Sequence, residues 1–218
     1  MDELSTWPQL ERLRQRGSVL ENQVTGERVV ILDDGLESGR GIAHLVVSPN
    51  GAVAGEHFHP AITERFQVLD GELTTRIGGE DGRLTAGQRA AVAPMVPHDW
   101  WNAGHTPASV IVEVEPAEPR FAMMIATLFG LANSGKTNAK GLPGPLHGAL
   151  IAREYADVIR FTTPPAAVQA VALPILAAIG RARGLRAVDP QFFVPHGHED
   201  PDPAILEAAG LAGPASGA

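Results

Sequence analysis

The chain contains no cysteine. This excludes disulfides and every thiolate metal site, and it fits a reducing cytoplasm. Basic residues are in the minority, with 17 Lys and Arg against 25 Asp and Glu for a net charge of -8. No basic cluster with interleaved aromatics occurs, so no nucleic-acid surface is expected. No apolar run reaches the roughly 20 residues that span a bilayer, so no integral membrane segment is expected. The opening Met1-Asp2-Glu3-Leu4 is acidic and lacks the basic and apolar regions of a signal peptide. The expectation is a cytoplasmic globular chain, and no internal repeat is visible.

What the sequence does have is histidine in a pattern. One segment reads Gly51, five residues, His57-Phe58-His59, four residues, Glu64, six residues, Gly71; a second reads Gly87, ten residues, His98, three residues, Asn102. On a strand, alternate side chains share a face, so the His57 and His59 imidazoles point the same way. Pro60 and the short stretch to Thr63 can turn the chain, letting Glu64 return to the same point. Counting by twos from Glu64 puts Phe66 and Val68 inside and Arg65 and Gln67 outside. Past Gly71, which can take positive φ, Leu73, Thr75 and Ile77 alternate along the next strand. From His98 the same parity turns Trp100 and Asn102 inward and Trp101 outward. Three neutral imidazoles and a carboxylate form a nitrogen and oxygen donor set suited to one divalent ion per chain: Fe(II), Mn(II), Ni(II) or Zn(II).

These segments resemble the two motifs of the cupins, G-x(5)-H-x-H-x(3,4)-E-x(6)-G and G-x(5)-P-x-G-x(2)-H-x(3)-N. Every fixed position of the first is matched, from Gly51 through His57, His59 and Glu64 to Gly71. In the second, Gly87, His98 and Asn102 match, whereas Ala93 stands in place of Pro and Met95 in place of Gly. The resemblance covers about residues 28 to 117. It implies a mainly β fold, a cupin-type jelly-roll β-barrel, and carries the metal-ligand role onto His57, His59, Glu64 and His98.

Around that centre the chain reads as four parts: a lead-in over 1–27, the barrel over 28–117, a helical extension over 118–188 and a flexible tail over 189–218. Strand signals fall at Val29–Leu32, Ile42–Val47, Arg65–Leu69, Leu73–Ile77, Arg89–Val92, Asp99–Trp101 and Ser109–Val114. Helical patterns fall at Leu10–Arg16, Phe121–Ala132, Ala149–Val158 and Pro164–Arg183, the last with Pro174 as a kink. A helix as apolar as the last must be covered, and because cupin-like barrels often pair, the expected assembly is a homodimer. A membrane-surface role is the alternative for a helix ending in Arg181, Arg183 and Arg186.

Two decoys are set aside. Gly130 to Thr137 satisfies G-x(4)-G-K-[ST], yet Gly141, Pro143, Gly144 and Pro145 follow where a phosphate-binding loop needs a helix. His196-Gly197-His198-Glu199-Asp200 lies in the expected tail and reads as a solvated polar run.

The expected function is chemistry on a small hydrophobic or aromatic molecule held by Phe66, Val68, Thr75, Trp100 and Asn102, with no catalytic side chain singled out beyond the metal site. A dioxygenase-type oxidoreductase is the first reading. The alternatives are a metal-dependent isomerase or cyclase and a non-catalytic metabolite sensor, because fold does not imply function.

Overall fold

A computed structural model describes residues 8–51 and 55–211; the acidic opening and the end of the expected tail lie outside them. Twelve strands form two antiparallel sheets. The larger takes β1 (Ser18–Asn22), β2 (Glu27–Asp33), β3 (Gly41–Val47), β5 (Thr63–Asp70), β8 (Arg89–Val92), β10 (Ala108–Glu115) and β12 (Gly197–His198), in the order β12-β1-β2-β3-β10-β5-β8. The smaller takes β4 (His57–Phe58), β6 (Glu72–Ile77), β7 (Glu80–Thr85), β9 (His98–Trp101) and β11 (Arg160–Phe161), in the order β11-β4-β9-β6-β7. Among the described residues the sheets are not hydrogen-bonded into a closed cylinder.

Alternation decides what they bury. In β5 the residues alternate between half-buried and buried, which turns Glu64, Phe66 and Val68 inward. Phe66, Val68 and Leu45 from the large sheet meet Leu73 and Trp100 from the small one in a single apolar cluster. Each such side chain contributes about 1.5–3 kcal/mol when fully buried. Gly71, with φ 75°, turns the chain between β5 and β6, because an added Cβ would lie 2.5 Å from the Pro107 carbonyl oxygen.

Helix α1 (Pro8–Arg14) buries Leu10 and Leu13 in the same core. Helix α2 (Arg120–Asn133) gives Met123, Ala126 and Phe129 to that core, and Met124 and Leu131 to a second cluster with Ile62, Ile151, Tyr155 and Val158. Helix α3 (Pro145–Glu154) begins and ends before the span expected for it. Pro145 is well placed in a first turn, where no amide hydrogen is needed, and the chain turns off after Tyr155. Helix α4 (Ala166–Ala182) runs through Pro174 and packs on α3 by Ala177 and Gly180. Its other face leaves Val168, Val171, Ile175 and Ile179 exposed.

The flanking segments differ from expectation. The lead-in supplies β1, which pairs with β2 along Val19↔Val30 to Asn22↔Glu27. Residues 189–211, expected as tail, hold a 3-10 turn at Pro190–Phe192, β12 against β1, and α5 (Pro203–Ala208). Phe193 is fully buried, and Arg28 pairs with Glu199 at 2.5 Å. The Pro, Gly and Ala content concealed these anchors, which are spaced too widely to form a periodic pattern. The segment 130–137 likewise contains no phosphate cradle: Gly130 to Asn133 finish α2, where such a loop would have to start a helix.

Candidate metal centre

Four side chains from both sheets meet between them. His57 of β4 is directly opposite His98 of β9, His59 follows β4, and Glu64 comes from β5 of the other sheet. All four are buried, and one ligand atom from each lies within 4.8 Å of all the others. Ligands about 2.0–2.2 Å from a common ion are separated by at most twice that distance, so the four atoms are gathered close to the span that one ion bridges. The ring centroids stand 4.3 Å apart for His57 and His98, 5.0 Å for His57 and His59, and 5.4 Å for His59 and His98.

Each ring is oriented from behind. His57 Nδ1 donates to the Gly55 carbonyl at 2.7 Å, His59 Nδ1 to the Val158 carbonyl at 2.8 Å, and His98 Nδ1 to the Val96 carbonyl at 3.0 Å. A carbonyl can only accept, so in each ring Nδ1 carries the proton and Nε2 is left for the centre. This is the arrangement that fixes a metal-binding imidazole. His59 Nε2 is buried without a hydrogen bond, although it lies 3.3 Å from Glu64 Oε2: with the proton on Nδ1 it has none to donate. An orphaned buried nitrogen beside a carboxylate, in a set of three imidazoles, fits a divalent cation of the Fe(II), Mn(II), Ni(II) or Zn(II) type.

The electrostatics point the same way. Burial pushes the His57 imidazole down to about 4. Burial works to raise the Glu64 carboxyl, but the His59 and His98 rings overcome it and bring it down to about 2. Burial works to lower His98, and the hydrogen bond and charge of Glu64 outweigh it to raise this ring. His98 Nε2 donates to Glu64 Oε2 at 2.8 Å. Both nitrogens of this ring face acceptors, and an ion would take the place of the inner proton.

The remaining residues marked in the sequence divide. Phe66, Val68, Thr75 and Trp100 are buried, with Trp100 against Phe66 at a centroid distance of 5.1 Å, while Trp101 is only half-buried. Asn102 ties the strand down through backbone. Its amide donates to the carbonyls of Val47 and Thr106 at 2.9 and 2.8 Å and its oxygen accepts from the Gly104 amide, so both donors are used by backbone. His196 is tied to the Glu21 amide and to Asn133, and Glu199 to Arg28, which leaves the late histidine run engaged in packing.

Met95, standing where the motif has glycine, adopts φ 68° and donates its amide to the His59 carbonyl at 2.8 Å. The turn before His98 therefore keeps the left-handed conformation without the residue that adopts it freely. Three neighbours escaped the sequence reading: the Val158 carbonyl, Phe121 with its ring 5.6 Å from His59, and Phe161 with its ring 6.2 Å from His57. A backbone oxygen has no sequence signature, and both rings come from the extension. A cleft of about 460 Å³ between α3 and α4, lined by Leu150, Arg153, Arg181 and Arg186 among others, shares no residue with the cluster.

Comparison with known proteins agrees with the motif. The family model described as "Cupin domain" matches residues 43–114. The Tetracenomycin polyketide synthase protein TcmJ of Streptomyces glaucescens is 30% identical over 79 residues, which are 36% of this chain and 52% of that protein. The chain thus matches about half the length of this curated relative. An RmlC-like cupin from Shewanella frigidimarina superposes with a TM-score of 0.42 at 22% identity, covering 48% of this chain and 88% of that one. A predicted oxalate decarboxylase from Thermotoga maritima superposes with a TM-score of 0.41 at 19% identity, covering 46% and 92%. With the family match falling on the strands that carry His57, His59, Glu64 and His98, residues 43–114 are a cupin domain.

Proposed function

We propose that His57, His59, Glu64 and His98 bind one divalent ion and that the protein is a metal-dependent oxidoreductase of the dioxygenase type, acting on a small apolar, aromatic molecule. The observation that carries the metal reading is the set of three Nδ1 to carbonyl hydrogen bonds, which leaves three Nε2 atoms and one carboxylate facing one point. When bound, such an ion supplies redox exchange with dioxygen or Lewis acidity toward a substrate oxygen.

The chain's own residues supply the surroundings. Glu64 stays ionised at all ordinary pH and offsets the cation's charge. The backbone carbonyls hold the imidazoles in the ligating tautomer. Phe66 and Trp100 near His98, Phe121 near His59 and Phe161 near His57 present aromatic surfaces that favour a flat apolar ligand and disfavour water. Val68 and Thr75 complete the lining, Thr75 with a hydroxyl to orient one polar group of the ligand.

A second reading, metal-assisted cyclisation or isomerisation of a polyketide-like substrate, draws support from the likeness to a protein named for a polyketide synthase. Oxygen uptake by the Fe(II)-loaded protein over a panel of phenols, diketones and aromatic polyketides separates the readings. Oxygen consumption in step with product supports the oxidoreductase. Product formed without oxygen, with Zn(II) or Mn(II), replaces it with the cyclase or isomerase, and saturable binding without product replaces both with a metabolite sensor. We also propose a homodimer in which the exposed apolar face of α4 is covered.

A further inference from the structure

We infer that the Val158 carbonyl, carried by the turn between α3 and β11, is the positioning group that sets His59 as a metal ligand, so that the helical extension is an integral part of the centre. The inference rests on the metal reading above and extends it to a segment outside the cupin motifs.

The three imidazoles are oriented differently. His57 and His98 take their acceptors from Gly55 and Val96, two residues back on the same stretch of chain, so their geometry is local. His59 takes its acceptor from Val158, 99 residues away. It is also the ring whose Nε2 is buried without a hydrogen bond. With nothing hydrogen-bonded in front, its direction is set from behind.

The carbonyl that does so is fixed independently of His59. The amides of Val158 and Ile159 both donate to the Tyr155 carbonyl, at 2.9 and 2.8 Å, closing a tight turn after α3. Beyond the turn, Arg160 and Phe161 pair with Phe58 and His57, and the Thr162 amide donates to the Glu56 carbonyl at 3.1 Å. From α4, Gln169 Nε2 donates to the carbonyls of Phe161 and Pro164 at 2.7 and 2.6 Å. Val158, Ile159 and Tyr155 are buried among Ile62, Met124 and Leu131. The turn is thus held by its own bonds, by the sheet edge and by two helices, and it presents one oxygen to one ring. Outer partners of this kind set both the tautomer and the direction of a ligating imidazole.

The test changes that oxygen and leaves every side chain in place. Replacing Ile159 by its α-hydroxy acid converts the Val158–Ile159 peptide to an ester, whose carbonyl is a weaker acceptor. The turn keeps its second bond, from the Val158 amide. The same replacement at Arg160 is the control: it weakens the next carbonyl and removes the Arg160 amide hydrogen, as the first replacement removes that of Ile159, and it leaves the Val158 carbonyl an amide. Imidazole nitrogen spectra of the ion-free protein should show His59 as the Nδ1-protonated form alone in the wild type and in the control, and as a mixture of tautomers in the Ile159 ester. The dissociation constant for Zn(II) should rise about tenfold in the Ile159 ester relative to the control. A wild-type His59 protonated on Nε2 would overturn the inference, as would equal tautomer ratios or equal Zn(II) affinity in the two esters. Should the wild type bind no divalent ion, the metal reading falls, and the ion-free tautomer spectra alone decide whether Val158 positions His59.

Discussion

Strand β5 and helix α4 invert each other. In β5 a carboxylate, Glu64, is 4% exposed, whereas in α4 an aliphatic side chain, Val171, is 65% exposed. Each is a cost in isolation, since buried charge and exposed apolar surface are both unfavourable. The difference lies in what meets them. Around Glu64 the protein has gathered three imidazoles, and their contacts outweigh the desolvation of the carboxylate. Around Val168, Val171, Ile175 and Ile179 the described residues leave the surface open. Polarity out of place signals a ligand in the first region and an unfilled contact in the second.

The strongest way to break this comparison is to remove the carboxylate or the ring opposite it. Glu64→Ala and His98→Ala should each weaken divalent-ion binding by more than the roughly 10–100-fold cost of losing an outer partner, measured by elemental analysis and calorimetry. Unchanged ion content in both variants would reduce the cluster to a packing feature.

Acid should act next. His57 and Glu64 are both depressed by folding, so the unfolded chain takes up their protons first. The His57 contribution is present above its ordinary value of 6.5 and is lost as pH falls toward 4; that of Glu64 is present above 4.5 and is lost toward 2. Urea denaturation of the ion-free protein should show stability falling through these windows, by on the order of 3 kcal/mol for each of the two groups. Glu64→Gln should remove the lower step and leave the upper one.

Gly130 sharpens the comparison from the helical side, because an added Cβ there would lie 2.2 Å from the Phe192 ring. Gly130→Ala should cost about 1–3 kcal/mol through overpacking, read as a lower unfolding midpoint. Met95→Gly should work in the opposite direction, adding about 1 kcal/mol by relieving the positive φ before His98. The smallest effect on stability is expected on the open face of α4, where Val171→Glu with Ile175→Glu should change it by less than about 0.5 kcal/mol. The informative readout there is sedimentation: conversion of a dimer to monomers would identify a second copy as the cover, and an unchanged subunit count would exclude it.

The period-2 alternation around His57, Glu64 and His98 made the interior legible, and β8 falls at its expected residues, Arg89–Val92. The same rule turned Trp100 inward and Trp101 outward in the sequence, in keeping with their burial. Strand β7 lacked that signal, since five of its six residues are exposed and it pairs only through the hairpin with β6. For Asn102 the sequence left a ligand contact and a strand tie both open, because parity tells which way a side chain points and not whether backbone already occupies it. The contributions of Val158 and Phe161 were invisible for a different reason: they depend on where α3 stops, and the Pro145 start moved that point four residues from the expected end.

The pairing of β12 with β1 concerns the outer rim of the large sheet. Its register joins Ser18 to His198 and Val19 to Gly197, so one strand waits for two residues made about 180 positions after it. Until then the β1 rim offers unpaired amides and carbonyls, the template on which chains join edge to edge. Glu199 reaching back to Arg28 secures the late residues once they arrive. The short β12 is a guard on that rim, and proteolytic clipping upstream of it would turn a self-limited sheet into one open to other chains.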